Sequence, residues 1–226
     1  MPEACVYCGG VADTEDHVPP HCFLEVPEPH PRITVPACFK CNNGSSLDEQ
    51  YAIAMLSQIG ATEALEAKVS SGGKVDRAFV RSPAFEQRFI DRLHVDDVGN
   101  VFLEPERDRL DAVLKKVVAG LYWHRYRRRV ELRVLGPIDY WPLADPRAVP
   151  AHIFVSTFTE RFRPKSWKTI QPGVFAYLFC RLGDGSLACV IRWHETLWIT
   201  CVVPQPGRGH GKARTPAQEP LPLDLD

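Results

Sequence analysis

The chain has 226 residues, enough to bury a hydrophobic core either as one domain or as a small module joined to a larger one. A formal charge of -1 and a pI near 6.7 exclude a strongly basic protein, so nucleic-acid contacts would have to come from local patches of Lys and Arg. The sequence has no run of about 18 apolar residues and no signal-peptide pattern at its start. We therefore expect a soluble, cytoplasmic protein without a membrane span.

Two pairs of cysteines lie in the first 50 residues, a stretch rich in Cys, Pro, His and Gly with little hydrophobic periodicity. Each pair is a Cys-x-x-Cys turn, which can present two thiolates to one metal ion. Four sulfur ligands select zinc and leave no open position for water, so this ion would hold shape rather than do chemistry. The pattern predicts structural Zn²⁺ held by Cys5, Cys8, Cys38 and Cys41.

Helical patterns follow the second cysteine pair. Ser46 and Glu49 form a capping-box pattern that predicts the start of the first helix. Ser82 as N-cap and Pro83 at the first helical position predict another start. The strongest pattern lies near the middle of the chain, where apolar residues recur at three- and four-residue steps. The predicted helices cover 46–60, 62–70, 83–93 and 107–128.

Short stretches of β-branched and aromatic residues follow the last helix and predict an antiparallel sheet. If Asp184 and Gly185 form a two-residue hairpin turn, Cys180 lies directly opposite Cys189 as a pair of buried thiols. The Pro- and Gly-rich tail has too few apolar residues to pack. The predicted strands cover 130–135, 151–158, 173–181, 186–193 and 196–203.

Polar residues capable of phosphodiester chemistry lie between and beside the cysteine pairs. The first group is Thr14-Glu15-Asp16-His17-Val18-Pro19-Pro20, and Asn42 directly follows the second pair. In this order the chain resembles the HNH endonucleases of the ββα-metal class, whose pattern is Cys-x-x-Cys, Asp/Glu-His-x-x-Pro, then Cys-x-x-Cys followed by His or Asn. Asp16, His17 and Pro20 match the middle element and Asn42 the last. The resemblance covers Cys5 to about Glu49, roughly a fifth of the chain.

The resemblance implies a mechanism. Phosphodiester hydrolysis requires a deprotonated water in line with the leaving 3′ oxygen, and neutral histidine, with a pKa of about 6.5, can take that proton. The resemblance therefore implies His17 as general base. A catalytic Mg²⁺ or Mn²⁺ would offset the developing charge, with Asp16 and the amide oxygen of Asn42 as ligands. One carboxylate and one amide make a weak site, so we expect firm binding only when substrate phosphate completes the shell.

The family pattern and the chain differ at one position. The middle Asn, which orients the histidine in the family, would fall about five residues before Cys38, where the chain has Ile33 and then Thr34. Thr34 is the candidate substitute, which leaves the positioning of His17 open. Other open choices for the metal ligand or the acid are Glu15, Asn43 and Asp48.

The elements and the resemblance together predict an α+β chain in three parts. Residues 1–58 form a small zinc-stapled ββα-metal module, in which the strand ending at His17 meets the short helix carrying Asn42. Residues 59–206 form helices followed by an antiparallel sheet, and residues 207–226 a disordered tail.

Two basic stretches are candidate nucleic-acid contacts: the end of the long helix and the region around Trp167. Basic residues at a helix C-terminus also complement its dipole, so both interpretations stay open. His21 and His30 are interpreted as surface residues that could touch phosphate. The basic residues concerned are Arg125, Arg127, Arg128, Arg129, Arg161, Arg163, Lys165 and Lys168.

Two functional hypotheses follow. The first is an HNH endonuclease that cleaves DNA, with RNA as an open alternative and a restriction, phage-defence or mobile-element setting suggested by the resemblance alone. The second is a zinc-stabilised nucleic-acid-binding or adaptor protein with an inactive catalytic remnant, which the changed middle Asn favours. No base-reading motif stands out. A protein partner or a second copy, bound through residues 59–206, is a further open alternative.

Overall fold

The computed structural model describes four segments of the chain, which contain helices and antiparallel sheets. The segments are residues 3–59, 72–99, 101–142 and 167–204. None of the helices in these segments combines the length and the apolar character needed to cross a membrane. Outside the described residues lie the predicted helix 62–70, the predicted strand 151–158, the basic residues Arg161, Arg163 and Lys165, and the tail 207–226.

A two-stranded hairpin and a short helix form the N-terminal part. Strand β1 (Thr14–His17) pairs antiparallel with β2 (Thr34–Ala37), and helix α1 (Phe39–Asn43) follows. The first cysteine turn is joined to β2 by a hydrogen bond from the Val6 amide to the Pro36 carbonyl oxygen, 2.9 Å long. Two strands followed by a helix are the order of elements that the sequence predicts here.

Helix α2 (Ser46–Ile59) and helix α5 (Arg107–Tyr126) pack against each other in the main core, which also includes residues of the hairpin and of a large sheet. The hydroxyl of Ser45, directly before α2, donates to Glu49 Oε1 at 2.7 Å. The sequence predicts Ser46 as the serine of the capping box. This prediction is wrong by one residue, because the helix already begins at Ser46 and the serine that bonds Glu49 is Ser45. Ser82 caps α4 as predicted, with its side chain accepting from the Phe85 amide. The helix bounds are α2 Ser46–Ile59, α3 Lys74–Arg81, α4 Pro83–Ile90 and α5 Arg107–Tyr126.

The described residues also form a small hairpin and a five-stranded antiparallel sheet. The small hairpin pairs β3 (Leu93–Val95) with β4 (Val101–Leu103) between α4 and α5. The large sheet contains the five strands that follow α5, numbered β5 to β9 along the chain, in the order β5-β9-β8-β7-β6. One face of the large sheet joins the core of α2 and α5, and the other holds a second apolar cluster. The structure is therefore α+β. The strand bounds are β3 Leu93–Val95, β4 Val101–Leu103, β5 Ile138–Pro142, β6 Lys168–Gln171, β7 Phe175–Arg181, β8 Leu187–Trp193 and β9 Leu197–Val203.

The predicted pairing of Cys180 with Cys189 is wrong by one residue. Cys180 lies opposite Ala188, and Cys189 lies opposite Cys201 on β9. The Leu182 amide donates to the Ser186 carbonyl oxygen, so the turn contains three residues, with Gly185 at a φ of 87°. An extra turn residue shifts the register by one and changes which side chains face each other.

The predicted strand over 130–135 is also wrong. Residues Leu132–Val134 form a 3-10 turn, and the strand that joins the sheet is β5 further along. Val130 and Leu135 are buried in the main core. Their apolar character therefore reflects packing of an irregular segment rather than strand pairing.

The loop between β1 and β2 is attached to the large sheet. The Trp193 indole Nε1 donates to the Phe23 carbonyl oxygen at 2.9 Å. The Gln171 side chain donates to the Glu25 carbonyl oxygen at 3.0 Å and accepts from the Glu25 amide at 2.9 Å. These contacts fix the path of the loop that leaves β1 at His17 and returns to β2.

Candidate metal centre and active site

The two cysteine turns meet in space. The sulfur atoms of Cys5, Cys8, Cys38 and Cys41 all lie within 4.8 Å of one another. A tetrahedral ion with zinc-sulfur bonds of 2.3 Å would hold its ligands about 3.8 Å apart. The Cys8 and Cys38 sulfur atoms are 3.7 Å apart. The quartet can therefore hold a metal ion such as zinc.

Backbone amides support the sulfur atoms. The Gly10 amide donates to Cys8 Sγ at 3.4 Å, and Gly9 makes the turn possible with a φ of 81°. Burial raises the pKa of the Cys5 thiol, but the backbone amides of Cys8, Cys38 and Tyr7 outweigh burial and lower that pKa to about 7. In Cys41 burial, followed by the sulfur atoms of Cys38, Cys8 and Cys5, raises the pKa instead, because four thiols this close cannot all carry charge without a cation.

The Arg-rich segment at and after the C-terminal end of α5 adjoins the first cysteine turn. The Arg129 guanidinium donates to the Tyr7 carbonyl oxygen at 3.4 Å, and a Cβ at Gly9 would lie 3.0 Å from Arg129 Cζ. The exposed residues at this end are Arg125, Tyr126, Arg127, Arg128 and Arg129. The contact places the basic segment beside the cysteine cluster, while its role in nucleic-acid binding stays a prediction.

His17 is partly buried at the end of β1. It lies directly opposite Thr34, and the Val18 amide donates to the Ile33 carbonyl oxygen at 3.0 Å. Backbone pairing of Thr34 therefore holds the strand where the family pattern has an asparagine. Burial, followed by the charges of Arg32 and His21, lowers the pKa of His17 below its ordinary value of 6.5. The imidazole is thus neutral at neutral pH, as a general base must be.

Asp16 points away from solvent into a buried charged cluster with Lys116 of α5. The Asp16 side chain is only 9 % exposed, and its Oδ2 lies 2.8 Å from Lys116 Nζ. The same ammonium donates to Ser45 Oγ at 2.5 Å and lies 3.3 Å from Glu49 Oε1. Burial, together with Asp16, raises the pKa of Tyr7, so its hydroxyl stays protonated beside this carboxylate. Lys116 is therefore the counter-ion of two carboxylates.

Sequence reasoning assigned no role to Lys116 and none beyond capping to Glu49. One signal was present, because Ala119 and Gly120 follow Lys116 at the spacing of the next helical turn. Small residues on one side of a long helix indicate that another segment approaches closely. A Cβ on Gly120 would lie 2.5 Å from Cγ2 of Val18, the residue after His17.

The contacts of Asp16 and Asn42 bear on the predicted catalytic metal. Asn42 Nδ2 donates to the Glu15 carbonyl oxygen at 3.0 Å and to Thr14 Oγ1 at 3.3 Å, which attaches α1 to β1. The Asp16 carboxylate forms an ion pair with Lys116. In this arrangement the carboxylate does not fit an open divalent-cation site. Among the described residues, the cysteine quartet is the group of His, Cys, Asp and Glu that is close enough to share an ion. Ligation of Mg²⁺ or Mn²⁺ by Asp16 and Asn42 stays a prediction.

The alternative residues occupy different surroundings. Asp48 pairs with Arg109 at 2.6 Å, whereas Glu15, Asn43 and His30 are exposed. His21 lies beside His17, with ring centroids 4.5 Å apart. The structure thus brings His21 to the predicted base.

Comparisons of the chain with protein-family models, with curated proteins and with solved structures found no match. The likeness to HNH endonucleases therefore rests on the residues and the order of elements described above.

Proposed function

We propose that the chain is an endonuclease of the HNH type that hydrolyses phosphodiester bonds of DNA, with His17 as general base. The observation that carries the proposal is the setting of His17. It lies at the end of β1 in a ββα arrangement beside the cysteine quartet, and its pKa lies below the ordinary histidine value. A partly buried, neutral imidazole that still has an open side is suited to take a proton from water.

In the proposed hydrolysis, His17 is the residue of the chain that transfers a proton. Neutral His17 removes a proton from a water molecule as the water oxygen attacks phosphorus. The bond from phosphorus to the leaving 3′ oxygen breaks, and that oxygen takes up a proton from solvent. The imidazolium then returns its proton to solvent and the base is restored. Proton transfer by a positioned side chain contributes roughly 10²- to 10⁴-fold to a rate.

A divalent cation would supply further chemistry at this site. The resemblance implies Mg²⁺ or Mn²⁺, which would offset negative charge on the phosphate. Since Lys116 holds Asp16, the metal requirement is a matter for measurement. The activity of zinc-loaded protein should be compared without added metal, with Mg²⁺ and with Mn²⁺.

The test uses supercoiled plasmid and three proteins. Wild type and His94→Ala should nick or linearise the plasmid, because His94 is an exposed histidine on β3, outside the N-terminal hairpin. His17→Ala should cleave at least about 100-fold more slowly, the lower limit expected for loss of a general base. Zinc content must be equal in all three proteins. Cleavage by His17→Ala at the wild-type rate would refute the assignment.

A second candidate is a zinc-stabilised nucleic-acid-binding or adaptor protein. The burial of Asp16 against Lys116 favours it, because the carboxylate of the motif is then used for structure. In this case the wild type binds DNA in a gel-shift assay but cleaves no plasmid with any of the metals. His17→Ala would bind as the wild type does.

A further inference from the structure

Arg32 reaches the His17 side of the hairpin because of the strand register. Thr34 lies directly opposite His17, so the two side chains are on the same face of the hairpin. Side chains alternate along an extended segment, and Arg32 precedes Thr34 by two residues. The register therefore directs Arg32 toward the same side as His17, just beyond the end of β1.

The contacts of Arg32 agree with this placement. Its Nη1 lies 2.8 Å from His21 Nδ1 and 2.9 Å from His21 Nε2, and His21 stacks at an angle on His17 with centroids 4.5 Å apart. Glu28 Oε2 accepts from Arg32 Nη1 at 3.1 Å and lies 2.8 Å from His21 Nδ1. Glu28 thus positions both the guanidinium and the imidazole next to the candidate base.

Arg32 is also chemically available. Its side chain is 35 % exposed, whereas the Lys116 side chain is 9 % exposed and is held by Asp16, Glu49 and Ser45. Among the described residues, the hydrogen bonds of Arg32 use Nη1, so the donors on Nε and Nη2 remain for a ligand. A guanidinium edge with two donors matches two oxygens of one phosphate.

We propose that Arg32 is a phosphate-binding residue of this site, which contacts the scissile phosphodiester while His17 acts as base. The inference rests on the proposed function and adds the group that meets the negative charge. The ligand is a phosphodiester of a nucleic-acid strand, and Glu28 is a positioning residue that holds Arg32 by one nitrogen. Charge on the phosphate grows as water attacks, so the guanidinium contributes most in the transition state.

Cleavage by Arg32 variants tests the proposal. Arg32→Ala should lower kcat/KM for a labelled DNA duplex by about 100-fold, as for the loss of one preorganised donor group. Arg32→Lys should recover only part of that loss, because an ammonium lacks the paired donors. Added guanidinium ion should raise the rate of Arg32→Ala but not that of the wild type. The matched control is Arg133→Ala, which removes an arginine that is 83 % exposed and paired with Glu131.

A binding measurement separates failure of this inference from failure of the proposed function. In the His17→Ala background, Arg32→Ala should weaken binding of a fluorescent oligonucleotide about 10-fold and lower the salt-dependence slope by about one. If the wild type cleaves no nucleic acid, the proposed function fails, and the binding arm still decides the role of Arg32. Equal effects of Arg32→Ala and Arg133→Ala in both assays would overturn the inference. Arg32→Gln replaces Arg32→Ala if zinc content or circular dichroism shows that the latter is misfolded.

Discussion

The substitution Lys116→Met tests most directly how the buried ion pair stabilises the fold around the candidate site. Methionine keeps the length of the side chain, but it removes the ammonium that lies 2.8 Å from Asp16 and 3.3 Å from Glu49. Asp16 is then a buried carboxylate without a counter-ion, whereas Glu49 is less buried and keeps the Ser45 hydroxyl. Removing one partner of a buried pair costs about 3–5 kcal/mol, and we expect Lys116→Met to lower the free energy of unfolding by that amount.

The assay is urea unfolding of zinc-loaded protein at pH 7, followed by tryptophan fluorescence and circular dichroism. The control is Lys115→Met, which removes a neighbouring ammonium that has no ion pair among the described residues. This change should alter the unfolding free energy by no more than about 0.5 kcal/mol. Asp16→Asn in the Lys116→Met background should restore part of the loss, because a neutral amide costs less to bury than a charge. The reasoning is refuted if Lys116→Met and Lys115→Met have the same stability.

Three further outcomes are expected. Elemental analysis should find one zinc per chain in the wild type and none in Cys38→Ser, whose N-terminal part should unfold; a variant that keeps stoichiometric zinc would contradict the quartet. The single-turnover cleavage rate should rise with pH as His17 deprotonates and level off above its pKa, with a midpoint below 6.5; a midpoint at or above 6.5 would contradict the burial argument. Gly120→Ala should cost about 1–3 kcal/mol in unfolding free energy because the new Cβ collides with Val18. Gly183→Ala, where the Cβ meets open space, is the matched control, and equal costs would show that no close approach exists.

Local signals in the sequence predicted the local features of the structure. The Cys-x-x-Cys spacing predicted two turns, and their sulfur atoms do lie together. Ser82 and Pro83 predicted the start of α4, and the periodic apolar residues predicted α5 to within two residues of its end. Each of these signals depends on residues within a few positions of one another, so no knowledge of the tertiary fold was needed.

Features that depend on contacts between distant segments escaped the sequence reasoning. The β7–β8 register depends on one additional residue in the turn, and residue propensities alone do not determine the length of that turn. Asp16 and Lys116 are 100 positions apart in the sequence, and the motif around Asp16 does not indicate that α5 supplies its counter-ion. The position of Arg32 could have been predicted more readily, because a register that pairs His17 with Thr34 places Arg32 beside the base.

Helix α5 and the segment directly after it connect the N-terminal part to the rest of the chain through three contacts. Lys116 is the counter-ion of Asp16, and the absence of a Cβ at Gly120 leaves room for the Val18 side chain. Arg129 donates a hydrogen bond to the Tyr7 carbonyl oxygen. Lys116 and Gly120 are about one helical turn apart on α5, and Arg129 follows three residues after the end of the helix. The helix therefore passes the strand that carries the candidate base, and the segment after it reaches the first cysteine turn. A chain cut at the predicted boundary after residue 58 would leave Asp16 charged without its partner and Val18 without its cover. The cysteine quartet can therefore hold a metal ion that joins its two turns, and α5 supplies the charge and the packing that hold the strand carrying His17 in place.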